Sequence, residues 1–125
     1  MTDYLTVADV LAIHSDQISR YGGAEGLRDA GLLEAELFRP QTGHYPDLIA
    51  EAAALWESLS QNHAFLDGNK RTALAATYTF LIINGVEITA DAEQVWTFLA
   101  DLYGRDAMRF EALEIWLRAE TVEVG

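Results

Sequence analysis

Residues 72–83 are apolar on nearly every side when they are drawn as a helix. A helix without a polar face is stable only when other elements surround it, so this segment is predicted to be the buried centre of a domain. The Asn84-Gly85 pair that follows is typical of a helix end. The apolar stretch is shorter than the ~20 residues that a membrane span needs, which favours a soluble protein.

Five further helices are predicted around this centre from helical spacing and from four N-cap candidates, Thr6, Asp29, Asp47 and Asp91. They are expected over residues 7–21, 30–38, 48–62, 92–104 and 108–119. Residues 86–89 are interpreted as a short extended piece, and no strand pair is predicted. The predicted fold class is therefore all-α: a compact bundle of about six helices in a single domain, residues 1–125.

Helical spacing also predicts which side chains face the core. The inward face of the first helix is assigned to Val7, Leu11, His14, Ile18 and Tyr21. His14 on that face is interpreted as a hydrogen-bonded core histidine rather than a catalytic one. All three tryptophans, Trp56, Trp96 and Trp116, are assigned to helical core positions.

The charge balance is strongly acidic, with eight basic against twenty acidic residues and a net charge of −12. Nucleic-acid binding depends on neutralising phosphates with Lys and Arg, so direct binding to DNA or RNA is not expected. The chain has no cysteine, which excludes disulfides and suits a reducing cytoplasm. The N-terminal residues lack a basic region followed by an apolar run, so neither a signal peptide nor a membrane partner is expected, and a cytoplasmic location is predicted.

The turn before the apolar helix concentrates the polar chemistry of the chain. It reads His63-Ala64-Phe65-Leu66-Asp67-Gly68-Asn69-Lys70-Arg71, and Lys70 is the only lysine. Adjacent cations at the start of a helix, beside a glycine and free backbone N–H groups, form a natural phosphate cradle. Asp67 is a hard oxygen ligand that suits Mg²⁺ carried on a polyphosphate. Histidine titrates close to neutral pH, so His63 could take a proton from a hydroxyl.

Each residue of this turn alone has an ordinary explanation, since a lone His is most often structural and Asp-Gly-Asn is a common turn. Phe65 is best explained as a core residue that anchors the loop. Together the residues match the requirements of phosphoryl or nucleotidyl transfer. Arg20 and Arg28 could line the same site or simply pair with nearby acids, while His44 is expected to be exposed.

These nine residues resemble the motif of the Fic/Doc family, His-x-Phe-x-Asp/Glu-Gly-Asn-Gly/Lys-Arg. Lys70 at the variable position is similar to the Doc (death-on-curing) branch, because Fic enzymes usually have Gly there. Two upstream stretches also resemble Doc-like toxins, Ile18-Ser19-Arg20-Tyr21-Gly22-Gly23 and Gly26-Leu27-Arg28-Asp29-Ala30-Gly31-Leu32-Leu33-Glu34. Ala64 departs from the family pattern, where many relatives have Pro, and no target-docking hairpin precedes the motif.

The resemblance implies a toxin that uses ATP and Mg²⁺ to phosphorylate a protein hydroxyl, a threonine of elongation factor Tu in Doc-like toxins, and so stops translation. His63 would be the base and Asp67 the Mg²⁺ ligand, while Gly68, Asn69, Lys70 and Arg71 would hold the phosphates. No self-inhibitory Ser/Thr-x-x-x-Glu-Gly/Asn stretch is present, so control by a separate antitoxin is expected. Two alternatives stay open: AMP transfer by the same fold, and a catalytically idle relative that only binds a partner.

Overall fold

Helix α4, Asn69–Ile83, is the central element of the fold, and it packs against two other helices and one strand. The computed structural model describes residues 1–124. Over that range the elements are α1 (Val7–Tyr21), α2 (Ala30–Phe38), a 3₁₀ turn (Arg39–Gln41), α3 (Leu48–Asn62), α4, β1 (Val86–Ile88), α5 (Ala92–Gly104), α6 (Phe110–Glu120) and β2 (Thr121–Glu123). The predicted all-α class is confirmed.

The predicted N-caps explain why most helices begin where they do. Thr6 accepts a hydrogen bond from the backbone of Asp9, and Asp29, Asp47 and Asp91 each accept one from the residue three positions on. Such caps satisfy N–H groups that have no partner within the helix, at about 1 kcal/mol each. Helix α4 is different, because within residues 1–124 no side chain caps its first turn and the residue before it is Gly68.

The core lies between α3, α4 and α6. Ala73, Ala76 and Phe80 of α4 are buried, and Trp56 of α3 is fully buried against the rings of Phe98 and Trp116. Burying a large apolar side chain stabilises the fold by about 1.5–3 kcal/mol. The predicted buried centre is confirmed along most of α4, although its last turn leaves Ile82 and Ile83 exposed. Within residues 1–124 no helix is both long and apolar enough to cross a membrane.

The expectation of no strand pair is wrong. β1 and β2 form an antiparallel pair in which Val86 lies opposite Glu123 and Ile88 lies opposite Thr121. Val86 and Ile88 are buried and Glu87 is exposed, which is the alternation of a half-buried strand. Each strand has three residues, and β2 follows α6 directly, so neither is long enough to produce a recognisable alternating pattern.

The core-facing residues predicted for two helices, α1 and α5, are also wrong in part. Leu11 and Tyr21 are exposed, because the buried stripe of α1 is formed by Val10, His14 and Ile18. In α5 the buried residues are Val95, Leu99 and Leu102, and Trp96 is 58% exposed. Trp96 follows the first residue of that stripe, and one residue corresponds to about 100° around a helix, so its side chain lies outside the core.

Glu36 on α2 is 2% exposed, and neither of its carboxylate oxygens has a hydrogen-bond partner within the described residues. Burial, with a smaller contribution from the charge of Asp29, raises the pKa of Glu36 to about 8 from its usual value near 4.5. The folded protein therefore holds Glu36 in its protonated form at neutral pH, because an unpaired buried carboxylate would be far more costly.

We expect Glu36→Gln to stabilise the fold at about pH 7.5 by roughly 1–3 kcal/mol and to change little at about pH 4. As the pH rises through that range, the unfolded chain releases the proton of Glu36 while the folded chain keeps it, so wild-type stability falls. Glutamine mimics the neutral acid, so the variant does not lose this stability as the pH rises. Urea unfolding at the two pH values measures the difference, and Glu34→Gln on the exposed side of α2 is the control. Equal stabilisation at both pH values would contradict the assignment.

Candidate active site

The turn between α3 and α4 holds the sequence motif, and it begins with an unusual backbone conformation. His63 ends α3 with φ 53° and ψ 57°, in the left-handed region. For a residue with a Cβ this conformation costs about 1–2 kcal/mol, so the surrounding structure has to hold it. The side chain of His63 is exposed at the mouth of the turn, where it can meet a substrate.

Phe65 anchors the turn in the core, as predicted for it. The side chain is 3% exposed, and its ring stacks on the ring of His14 with 3.8 Å between centroids. Asn69 closes the turn locally: its Oδ1 accepts from the N–H of Phe65 and its Nδ2 donates to the carbonyl of Phe65, each at 3.0 Å. Both ends of the Asn69 amide therefore contact the turn itself.

His14 is a hydrogen-bonded core histidine, as predicted. It is 3% exposed, and its Nε2 lies 2.7 Å from the carbonyl oxygen of Asp67. A carbonyl oxygen only accepts, so Nε2 is the protonated nitrogen that donates. His14 thus supports the backbone of Asp67 from below the turn, and its ring lies between α1 and Phe65.

The carboxylate of Asp67 is exposed but held by backbone donors. The N–H of Ala24 donates to its Oδ2 at 3.1 Å, and the N–H of Gly68 donates to its Oδ1 at 2.8 Å. These two bonds, that of Ala24 first, hold the pKa of Asp67 below its usual range, and weaker electrostatic attraction to Arg71 and His14 lowers this pKa further. Asp67 is therefore ionised at neutral pH.

The first turn of α4 presents positive charge beside Asp67. Gly68 has φ 74°, a left-handed conformation that favours glycine, and a Cβ there would lie 2.9 Å from Ile18 Cδ1, so a larger residue would also require the Ile18 side chain to move. Lys70 Nζ lies 4.3 Å from the ring centroid of Tyr103, and the guanidinium of Arg71 donates to the carbonyl of Gly22 at 2.9 Å. Within residues 1–124 neither cation forms a salt bridge with a carboxylate.

One cleft collects the predicted site residues. It has a volume of about 450 Å³ and is lined by His63, Leu66, Asp67, Gly68, Asn69, Lys70, Arg71 and Trp96. An adjoining cavity of about 250 Å³ shares Lys70, Arg71 and Trp96 and continues over apolar side chains of α4 and α5. Sequence reasoning missed Trp96 as a lining residue. The sequence feature that could have indicated this role is the position of Trp96 on α5, next to the row formed by Val95, Leu99 and Leu102 rather than within it.

A larger depression of about 770 Å³ lies elsewhere, between the start of α3 and the β1–β2 pair. Its one cation, Arg118, already pairs with Asp47 at 3.0 Å and with Glu114 at 2.8 Å. The depression therefore offers no free charge to an anion, and none of the motif residues lines it. Chemistry rather than size identifies the cleft at the α3–α4 turn as the candidate active site.

The segment that joins α1 to α2, residues 22–29, lies along the motif turn. Leu27 and Phe65 form an isolated antiparallel bridge, and the N–H of Leu66 donates to the carbonyl of Gly26 at 3.1 Å. At Gly23, with φ 120°, a Cβ would lie 2.7 Å from Asp67 Oδ2. The segment approaches this closely because it has glycine there. Sequence analysis noted Gly22, Gly23 and Gly26 only within the two stretches that resemble Doc-like toxins, and did not place them against the motif turn.

The sequence did not decide whether Arg20 and Arg28 line the site or pair with nearby acids, and the structure places the two differently. Arg20 forms an exposed ion pair with Asp16 at 2.9 Å, one helical turn away on α1. Arg28 has no carboxylate partner within residues 1–124, and its guanidinium contacts backbone carbonyls at the end of α3. Neither arginine lines the cleft.

Comparison with known proteins shows to which family the sequence is similar. A model of the Fic/DOC family matches residues 4–81. The chain is similar to Toxin Doc of Mycolicibacterium smegmatis, with 51% identity over 96 residues that cover 73% of this chain and 72% of that protein. It is also similar to Protein kinase doc of Escherichia phage P1, with 36% identity over 103 residues that cover 79% and 78% of the two chains.

Proposed function

Because the chain belongs to the Fic/Doc family, we propose that it is a toxin that transfers the γ-phosphoryl group of Mg-ATP to a hydroxyl of a protein target. The observation that carries this proposal is the cleft itself. It brings together an exposed histidine, an ionised carboxylate and two cations that no carboxylate of residues 1–124 neutralises by a salt bridge. The two relatives are named as a toxin and as a protein kinase, which supports the same function.

His63 is the proposed general base. Its exposed imidazole takes the proton of the target hydroxyl as the hydroxyl oxygen bonds to the γ-phosphorus. The bond from that phosphorus to the bridging oxygen breaks, and ADP leaves. By the Doc-like resemblance, the target is a threonine of elongation factor Tu in the cytoplasm, and the consequence is a stop in translation.

Asp67 fits the role of the Mg²⁺ ligand. Mg²⁺ prefers oxygen donors and is commonly held by one or two carboxylates together with substrate phosphates. Asp67 is exposed in the cleft and ionised, as such a ligand must be. When bound, Mg²⁺ would neutralise charge on the phosphates. The chain's own contribution is to hold the carboxylate through the N–H groups of Ala24 and Gly68.

The phosphates fit the first turn of α4. Free N–H groups and the positive end of the helix dipole favour anions there, and Lys70 and Arg71 add full charge. Asn69 belongs to the same turn, where its amide keeps the Phe65 backbone in place for that cradle. The apolar cavity beyond Lys70, lined by Trp96, Leu99 and Tyr103, is the proposed position of the purine ring.

Transfer to a protein target tests the reaction directly. We expect label from γ-labelled ATP, and none from α-labelled ATP, on a single protein of a cell extract, with ADP released. His63→Ala should reduce this transfer by about 10²–10⁴-fold, the usual contribution of a general base, while nucleotide binding persists. Chelation of divalent cations should abolish transfer by the wild-type protein.

The two labels separate the competing functions. An adduct that carries the α-label would replace the kinase with AMP transfer. The absence of either label, with the chain folded and the target present, would identify an idle relative that only binds a partner. Near-wild-type transfer by His63→Ala would remove His63 from the mechanism.

Lys70 is proposed to decide which phosphate reacts. Its long side chain, packed over Tyr103, fills space that a glycine would leave for terminal phosphates. We propose that the triphosphate therefore lies with its γ-phosphate at His63 and its base toward Trp96. Positioning dominates phosphoryl transfer, so a displaced phosphorus is costly.

We expect Lys70→Gly to lower γ-phosphoryl transfer by at least about 10-fold and to admit AMP transfer in its place. Mass spectrometry of the target distinguishes the two adducts. Lys70→Arg, which retains length and charge, is the control and should keep the phosphoryl product. Unchanged kinase activity in Lys70→Gly would show that Lys70 does not orient the nucleotide.

We further propose that a cognate antitoxin protein neutralises this chain by covering the cleft. Tyr21, Leu66 and Trp96 are large apolar side chains that remain 66%, 60% and 58% exposed around it, which is typical of a surface that a partner covers. Expression of the chain alone should arrest growth, and co-expression of a neighbouring gene should relieve the arrest. Harmless expression of the active, unaccompanied chain would contradict this proposal.

A further inference from the structure

The end of α3 is held by an arginine from a different part of the chain. Arg28 donates from its guanidinium to the carbonyl oxygen of His63 at 2.6 Å and reaches that of Asn62 at 3.4 Å. Carbonyls in the last turn of a helix have no partner within the helix, and a cation there also complements the negative end of the helix dipole. Arg28 therefore acts as a C-cap for α3 at the residue that carries the imidazole.

Arg28 can do this because its own backbone is fixed. The N–H groups of Arg28 and Asp29 both donate to the carbonyl of Ala64, at 2.8 Å and 3.1 Å. Asp29 is also the N-cap of α2, where its side chain accepts from the N–H of Leu32. Three successive carbonyls, those of residues 62–64, thus accept hydrogen bonds from one short segment that is anchored to the start of α2.

We propose that Arg28 is a positioning residue for the general base, an inference that rests on the proposed function. The direction in which the Cα–Cβ bond leaves the turn follows from the backbone conformation, so the left-handed backbone of His63 sets the direction from which its imidazole extends. The charge-assisted bond to the His63 carbonyl holds that backbone conformation. Arg28 does not line the cleft, and within residues 1–124 it forms no salt bridge with a carboxylate. Its positive charge therefore acts at the C-terminus of α3.

A comparison of kcat with nucleotide affinity tests this role. We expect Arg28→Ala to lower kcat for phosphoryl transfer by about 10- to 100-fold, since a misplacement near 1 Å has effects of that size, with the Kd for Mg-ATP unchanged. Arg28→Lys, which keeps a cationic donor, should recover part of the lost kcat. Arg20→Ala is the matched control, because Arg20 pairs with Asp16 on the surface of α1 and should not affect kcat.

The position of the imidazole can also be followed without any activity. The chain has three histidines, His14, His44 and His63, so their imidazole NMR signals can be assigned by substitution. We expect Arg28→Ala to shift or broaden the His63 signals while those of His14 and His44 stay unchanged. If the wild-type protein transfers no phosphoryl group, the proposed reaction fails, and this measurement still decides the role of Arg28.

Four results would overturn the inference. The first is a wild-type kcat in Arg28→Ala. The second is a weakened Kd for Mg-ATP with kcat preserved, which would make Arg28 a nucleotide contact. The third is an unchanged set of His63 signals in Arg28→Ala. A loss of kcat that Arg28→Lys does not relieve at all would likewise exclude positioning through a donated hydrogen bond.

Discussion

The burial of α4 is the constraint on which the rest of the structure depends. α1, α3 and β1 pack along its sides, so the part of α4 with free polar groups is its first turn. In most other helices of this chain a Thr or Asp side chain takes up the first N–H groups, but α4 is preceded by Gly68. The uncapped N–H groups and the dipole therefore face a cleft, and an anion can supply the interactions that a cap supplies elsewhere.

The acidity of the chain makes this terminus distinctive. With a net charge of −12, carboxylates are abundant, yet within residues 1–124 the salt bridges involve only Arg20, Arg39, Arg105 and Arg118. Lys70 lies over the ring of Tyr103, and Arg71 lies near that of Tyr21 while donating to a carbonyl. Rings and carbonyls orient these cations without neutralising them, so their charge remains available to phosphates.

Local sequence signals were sufficient for much of the fold. The predicted bounds of α1, α2, α3 and α5 agree with the structure, because Thr6, Asp29, Asp47 and Asp91 cap through contacts three residues away. The nine-residue motif likewise brought its polar residues into one cleft. The β1–β2 pair could not be predicted, because its register joins short segments from distant parts of the chain. Trp96 was misplaced because apolar character alone does not fix the face of a helix.

The candidate site has a second layer that no local pattern could reveal. The motif turn is held by residues 22–29 through the carbonyls of Ala64 and His63 and through the carboxylate of Asp67. These contacts are made mainly by backbone groups, which every residue possesses, so residue type gives little indication of them. Gly23 and Arg28 are the exceptions, since the missing Cβ of Gly23 leaves room for Asp67 Oδ2 and the Arg28 guanidinium donates to the His63 carbonyl. The motif therefore supplies the reactive groups, and a segment more than 30 residues earlier supplies their geometry. A chain that kept the motif but lost this segment would still have the proposed reactive residues, but nothing from this segment would hold them in position.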